Sequence, residues 1–94
     1  MSVSDILLRM EFPTKVGMRQ RFILIDVAIS EPPYQKSTAD VAIKIGATRD
    51  YTRAAVRKLV SRGLLNRALE KKDGKEVRTL SLSDELKKRI EEIK

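Results

Sequence analysis

The fold is decided by residues 37–67, which read STADVAIKIGATRDYTRAAVRKLVSRGLLNR. The first four of these, Ser37 to Asp40, resemble a capping box with Asp in place of the usual Glu or Gln. They predict the start of a short helix, which ends at Gly46 because glycine is the commonest residue at a helix C-terminus.

A second helix is predicted two residues further on. Thr48 is a good N-cap, and Asp50 lies in the first turn, where the helix dipole favours an acidic side chain. This helix runs from Arg49 to Arg62 and closes at Gly63. Two capped helices joined by a very short connection are typical of a helix-turn-helix.

A β-hairpin is predicted after the second helix. Asp73-Gly74 is the strongest short hairpin signal, because a type I′ turn needs positive φ at both central positions. Centring residues 65–82 on this turn places opposite charges and two leucines across from each other, which supports the register. The predicted pairs are Lys72 with Lys75, Lys71 with Glu76, Leu69 with Arg78 and Leu65 with Leu82.

The segments before the helix pair are apolar. Residues 1–13 form an N-terminal arm, a strand or a short helix capped by Ser2 and ended by Pro13. Residues from about Thr14 to Glu31, stopped by Pro32-Pro33, are too long for a strand in so small a chain and predict a buried central helix with Phe22 in the core.

The C-terminal segment, 83–94, predicts a helix capped by Ser83. Its apolar stripe is narrow, with spacing i, i+4, i+7, and forms either a lid on the core of one chain or half of a dimer seam. The candidate dimer contacts are Leu7, Met10, Leu86, Ile90 and Ile93.

Length and composition limit the function classes. The 94 residues suit one domain, 1–94, with a core over 14–82. The absence of Cys and His excludes disulfides, Cys/His metal sites and Ser-His-Asp catalysis. No glycine-rich phosphate loop is present, so we expect no enzyme activity, no cofactor and no metal. No stretch is long and apolar enough for a membrane span, and we expect an intracellular, cytoplasmic protein. Scarce Asn and Gln beside abundant charge lean towards a thermophilic source.

The excess positive charge is concentrated in one part of the chain. The formal net charge is +7, and residues 44–78 carry all of it, with eleven Lys and Arg against four Asp and Glu. Nine residues of each sign balance over the rest. A footprint of this kind indicates a polyanionic partner.

The basic residues of the second helix are spaced to follow a groove. Arg49, Arg53 and Arg57 recur every fourth residue, with only Asp50 to pair with, so their mutual repulsion suggests an anionic partner. The B-DNA major groove admits one helix, and Arg reads guanine bidentately. Thr38 and Thr48 are expected to bond phosphate. The predicted DNA contacts are Thr38, Thr48, Arg49, Asp50, Arg53, Arg57, Lys58, Arg62, Lys71, Lys72, Lys75 and Arg78.

These residues also carry a family resemblance. The runs 37–46 and 48–67, with the spacing Leu59…Gly63-Leu64…Arg67, resemble the winged-helix core of MarR-type transcription regulators, and 73–83 is similar to their wing. The resemblance implies a dimer on a pseudo-palindromic duplex, with a recognition helix, 48–62, in the major groove and a wing, 65–82, on the backbone or minor groove. The family's wing Arg is Lys75 here, and the long flanking helices that build the family's dimer and effector pocket are missing. No small-molecule effector is evident.

We therefore expect a mainly α fold with a small β-hairpin, a winged helix-turn-helix made of a three-helix core, a two-stranded wing and a C-terminal helix. The expected partners are double-stranded DNA and a second copy of the chain, as in a transcription regulator. The alternative is a winged-helix module that binds protein or RNA. Binding of single-stranded RNA by such a module is disfavoured, because proteins bind single strands by stacking the bases on aromatic side chains. This chain has two Phe and two Tyr.

Overall fold

Five helices and a hairpin follow one another along the chain. The structure, a computed structural model, describes residues 2–13, 15–29 and 38–93, apart from the side chains of 38–40, 70, 72, 77 and 78. The elements are α1 (Val3–Arg9), α2 (Met18–Ile29), α3 (Thr38–Ile45), α4 (Arg49–Ser61), β1 (Leu65–Lys72), β2 (Lys75–Leu82) and α5 (Asp84–Ile93).

The N-terminal segment, for which an arm, a strand and a short helix were predicted as alternatives, is a short helix. Ser2 Oγ accepts a hydrogen bond from the Asp5 amide at 3.2 Å, as an N-cap does. At the other end, Arg21 of α2 donates from Nη1 to the carbonyl oxygens of Leu7, at 2.9 Å, and Met10, at 2.8 Å. Carbonyls at a helix C-terminus lack partners within the helix, so Arg21 caps α1 and holds it against α2.

Helix α2 is shorter than predicted. It begins at Met18, directly after Gly17, a residue of poor helix propensity. The predicted start at Thr14 and the predicted stop at Pro32-Pro33 lie outside the described residues, and the helix is described as far as Ile29.

The prediction of a buried central helix holds for one side of α2, and the prediction that Phe22 lies in the core is wrong. Ile23, Leu24 and Val27 lie in the core, but Phe22 is 42% exposed and Ile29 is 57% exposed. Among the described elements α1, α3, α4 and β2 pack against α2, on the side where its core residues lie. A domain this small has too few elements to surround a central helix completely, which leaves Phe22 outside the core.

The predicted connection between the two capped helices is confirmed. Gly46 has a φ of +68°, the left-handed conformation that glycine adopts most easily at a helix C-terminus. Thr48 Oγ1 accepts from the Tyr51 amide at 3.1 Å and so caps α4. The predicted capping box before α3 is not tested, because Ser37 and the side chains of 38–40 lie outside the described part of the chain.

The hairpin has the predicted register, with Leu65 opposite Leu82 at its base and Lys72 opposite Lys75 at its tip. Asp73 and Gly74 have φ values of +53° and +76°. Positive φ at both central positions is what a type I′ turn requires.

Helix α5 closes the core of its own chain. Ser83 Oγ accepts from the Leu86 amide at 3.2 Å, which confirms the predicted cap. Leu86 and Ile90 are buried in the core of their own chain. Of the two roles predicted for the apolar stripe of α5, these two residues therefore fit the lid.

Four of the five candidate dimer contacts, Leu7, Met10, Leu86 and Ile90, are buried in the core of the single chain. Their part in a dimer stays a prediction. Ile93 is 48% exposed and stays a candidate contact. The four residues are buried because α1 packs against both α2 and α5. Residue spacing within a single helix does not reveal which other helices it packs against.

Candidate nucleic-acid interface

Helix α4 has one side in the core and the other in solvent. Thr52, Ala55, Val56 and Leu59 are buried. Tyr51 is 38% exposed and lies at the edge of the buried side. There its ring is covered by the guanidinium group of Arg19 from α2, 5.3 Å from the ring centroid.

The arginine ladder, defined as Arg49, Arg53 and Arg57, is exposed along its whole length. Each step of four residues rises about 6 Å and turns about 40° further round the helix. The ladder therefore winds slowly across the solvent side of α4. Within the described residues none of its three guanidinium groups has a hydrogen bond or an ion pair, so its positive charge is not neutralised by neighbours there.

The remaining predicted residues of α4 divide into two groups. Thr48, Asp50 and Lys58 are exposed. Arg62 is engaged within the fold: its Nη1 donates to the Lys15 carbonyl oxygen at 2.7 Å and to Gln20 Oε1 at 3.3 Å. These bonds tie the end of α4 to the start of α2, so we interpret Arg62 as a tether.

The inner face of the hairpin changes from buried to exposed towards the tip. Directly opposed residues of an antiparallel pair share a face, and the opposed pairs on this face are Leu65 with Leu82, Arg67 with Leu80 and Leu69 with Arg78. Leu65, Leu80 and Leu82 are buried, whereas Arg67 is exposed and Leu69 is 64% exposed. The hairpin thus extends past the edge of the core.

The tip of the hairpin is exposed and basic. Lys71 and Lys75 lie in solvent on either side of the Asp73-Gly74 turn. Lys72, Arg78 and Thr38 were also predicted to contact DNA. Their side chains lie outside the part of the chain that the structure describes.

Helix α4 and the hairpin meet at an open cleft of about 380 Å³. Arg57, the last residue of the ladder, forms one side, and Arg67 and Leu69 of β1 contribute to the other. The ladder and the hairpin therefore meet at this cleft. We call the ladder, the cleft and the exposed wing residues Lys71 and Lys75 together the basic face.

Two basic residues of this region were missed as site residues. The register predicted from the Asp73-Gly74 turn places Arg67 on the core-facing side of β1. The sequence therefore contained a signal that could have identified Arg67. Arg19 gave no comparable signal, because its position beside Tyr51 depends on how α2 packs against α4.

The described residues contain no group of three or more carboxylate, Cys or His side chains that would hold a metal ion. None of the helices described is both long enough and apolar enough to cross a membrane.

Comparison with solved structures decides the fold. A point mutant of ZitR from Lactococcus lactis superposes on 90% of this chain with a TM-score of 0.70 and 21% sequence identity. The chain has the winged helix-turn-helix fold. In that fold α3 and α4 form the helix-turn-helix, and β1 and β2 form the wing.

The winged helix described here spans 55% of the length of the ZitR chain. No protein-family model matches the sequence, and no curated protein matches it.

Proposed function

We propose that this chain binds double-stranded DNA sequence-specifically, as a homodimeric transcription regulator. The observation that carries the proposal is the basic face: an exposed arginine ladder, without ion-pair partners in the described residues, joined to a basic wing on a winged-helix scaffold. The likeness to ZitR supports the winged-helix scaffold on which this face is built.

The recognition helix suits the major groove. The groove is about 12 Å wide and receives one helix, whose N-terminal residues meet the base edges. Arg49 and Arg53 lie in the N-terminal half of α4 and are exposed. Their guanidinium groups present the bidentate fork that recognises guanine, so we assign them to base reading.

The wing suits the phosphate backbone or the adjacent minor groove. Lys71 and Lys75 are exposed at its tip, and lysine acts on phosphate as a point charge without sequence preference. Thr48 adds a hydroxyl group at the N-terminus of α4, where backbone amides also attract anions.

Two copies account better than one for specific binding. A single small module buries about 600–1,000 Å² on DNA, whereas specific complexes usually bury about 1,000–2,500 Å². A dimer doubles the contacts and places two recognition helices on half-sites one helical turn apart. Among the predicted dimer contacts, Ile93 on α5 is exposed, and we assign it to the dimer interface.

Selection of bound duplexes from a random pool tests the proposal. We expect enrichment of two copies of one short motif related by two-fold symmetry. Enrichment of a single unrepeated motif would contradict the dimer but uphold sequence-specific binding. A pool that stays random over successive rounds would contradict specific recognition.

A protein-binding module is the second candidate, and one observation favours it. Phe22, Ile25 and Ile29 of α2 line, with Ile45 of α3, an open apolar groove of about 300 Å³. Exposed apolar surfaces of this kind often mark protein contacts. Competition between labelled duplex and its separated strands, and then RNA, distinguishes the candidates: a DNA regulator prefers the duplex, and a protein-binding module binds none of the three.

A further inference from the structure

The cleft between α4 and β1 joins two arginines from different elements. Arg57 comes from the ladder on α4, and Arg67 comes from the inner face of the wing, opposite the buried Leu80. Both side chains are exposed. The cleft has a volume of about 380 Å³ and is open to solvent, so a group carried by a larger molecule has access to it.

Among the described residues that line this cleft, the charged ones are both arginines. Arg57 and Arg67 have no carboxylate partner and no hydrogen bond within the described part of the chain. Two like charges beside one cleft repel each other and stabilise an anion placed between them. Guanidinium groups match the oxygen atoms of phosphate bidentately, which makes phosphate the anion that the site fits best.

The position of the cleft indicates the source of that phosphate. Arg57 is two helical turns along the ladder from Arg49, and Lys71 and Lys75 lie further out along the same wing. A duplex that contacts the recognition helix and the wing together passes across this junction.

We infer that the cleft binds one phosphate group of the DNA backbone between Arg57 and Arg67. This inference rests on the proposed function and deepens it. The contact fixes the recognition helix and the wing in one register on the duplex, and it carries no sequence information itself.

Substitution of Arg67 tests the inference. Arg67→Ala is expected to weaken binding about tenfold on selected and unrelated duplexes alike, and to reduce the slope of log affinity against log salt by about one. Arg67→Lys, which keeps the charge but loses the planar fork, is expected to bind with intermediate affinity. Lys88→Ala on α5, an exposed position on a helix that packs against α1, is the matched control and is expected to bind like wild type.

A double-mutant cycle shows whether the two arginines share a phosphate. The losses for Arg57→Ala and Arg67→Ala are expected to be non-additive, because the second substitution acts on a contact already broken. Duplexes with a neutral methylphosphonate at successive positions are expected to show one position at which wild type loses affinity and Arg67→Ala does not. Circular dichroism and thermal unfolding verify that each variant is folded.

Three results would overturn the inference. The first is wild-type affinity and salt slope for Arg67→Ala while wild type binds DNA well, an outcome that leaves the proposed function intact. The second is strict additivity of the two losses. The third combines two measurements: inorganic phosphate saturates the cleft, as followed by the NMR signals of the backbone amides of residues 67–69, and Arg67→Ala has no effect on duplex binding. Failure of wild type to bind any duplex is a separate outcome, which contradicts the proposed function.

Discussion

Arginine side chains hold segments together at some positions of this chain and face solvent at others. Arg21, Arg62 and Arg89 each donate to a backbone carbonyl of a distant segment, at 2.9, 2.7 and 2.8 Å. The ladder arginines make no such bond within the described residues. Spacing along α4 identified the ladder, but it also included Arg62, whose partner Lys15 lies 47 residues away in sequence. Only the packing of α2 against α4 separates the two roles.

Arg53 is the central residue of the ladder, and its replacement tests base reading. Arg53→Gln is expected to weaken binding to the selected duplex by about 1–3 kcal/mol and to relax specificity at one base position, because the bidentate contact to guanine is lost. Binding curves on the selected duplex and on single-base variants measure both effects. Equal losses on every duplex would show that Arg53 contacts phosphate instead.

Arg62 is expected to matter for stability. Arg62→Ala removes the bonds to Lys15 and Gln20 and is expected to lower the free energy of unfolding by about 0.5–1.5 kcal/mol. Urea denaturation measures this loss. The salt dependence of DNA binding is expected to keep its wild-type slope, and a slope reduced by about one would return Arg62 to the phosphate contacts.

At the scale of elements, local signals were sufficient where a cap or a turn defines the boundary. Thr48, Gly46 and Asp73-Gly74 placed α4, the end of α3 and the hairpin register correctly. The same reasoning misplaced Phe22 on α2 and left α5 open between a lid and a dimer seam. Phe22 was expected inside and is outside, because periodicity shows that a helix has apolar sides but not which neighbours cover them.

Leu86 tests the assignment of α5 as a lid on its own chain. Leu86→Ala removes a buried side chain and is expected to cost about 2–5 kcal/mol of unfolding free energy. The loss is expected to be the same over a wide range of protein concentration when measured under conditions where the chain is monomeric. A loss that appears only where the dimer is populated would place Leu86 at a subunit seam.

At the scale of the whole molecule, the surface carries two kinds of feature. The basic face, formed by the ladder, the cleft and the wing, suits a polyanion. Apolar side chains are exposed elsewhere, at Phe22 and Ile29 on α2 and at Ile93 on α5. Charge clustering in the sequence predicted the basic residues of this face, and the apolar stripe of α5 had included Ile93, whereas the exposure of Phe22 and Ile29 emerged only from the packed structure.

The oligomeric state is the prediction that belongs to this scale. Light scattering is expected to give a mass about twice the 10.7 kDa of the chain at working concentration. Ile93→Asp places a charge on the exposed candidate contact and is expected to shift the protein towards the monomer. A wild-type mass equal to that of one chain would refute the dimer, and an unchanged dimer in the variant would move the interface away from Ile93.

The central claim is that the basic face binds the phosphates of a DNA duplex through its uncompensated cations. The salt dependence of duplex binding by the wild-type chain tests it most directly, because each neutralised phosphate releases counterions. If about six phosphates are contacted, log affinity is expected to fall against log salt with a slope of about −5 between about 50 and 200 mM. An affinity that stays constant across this range would contradict the claim.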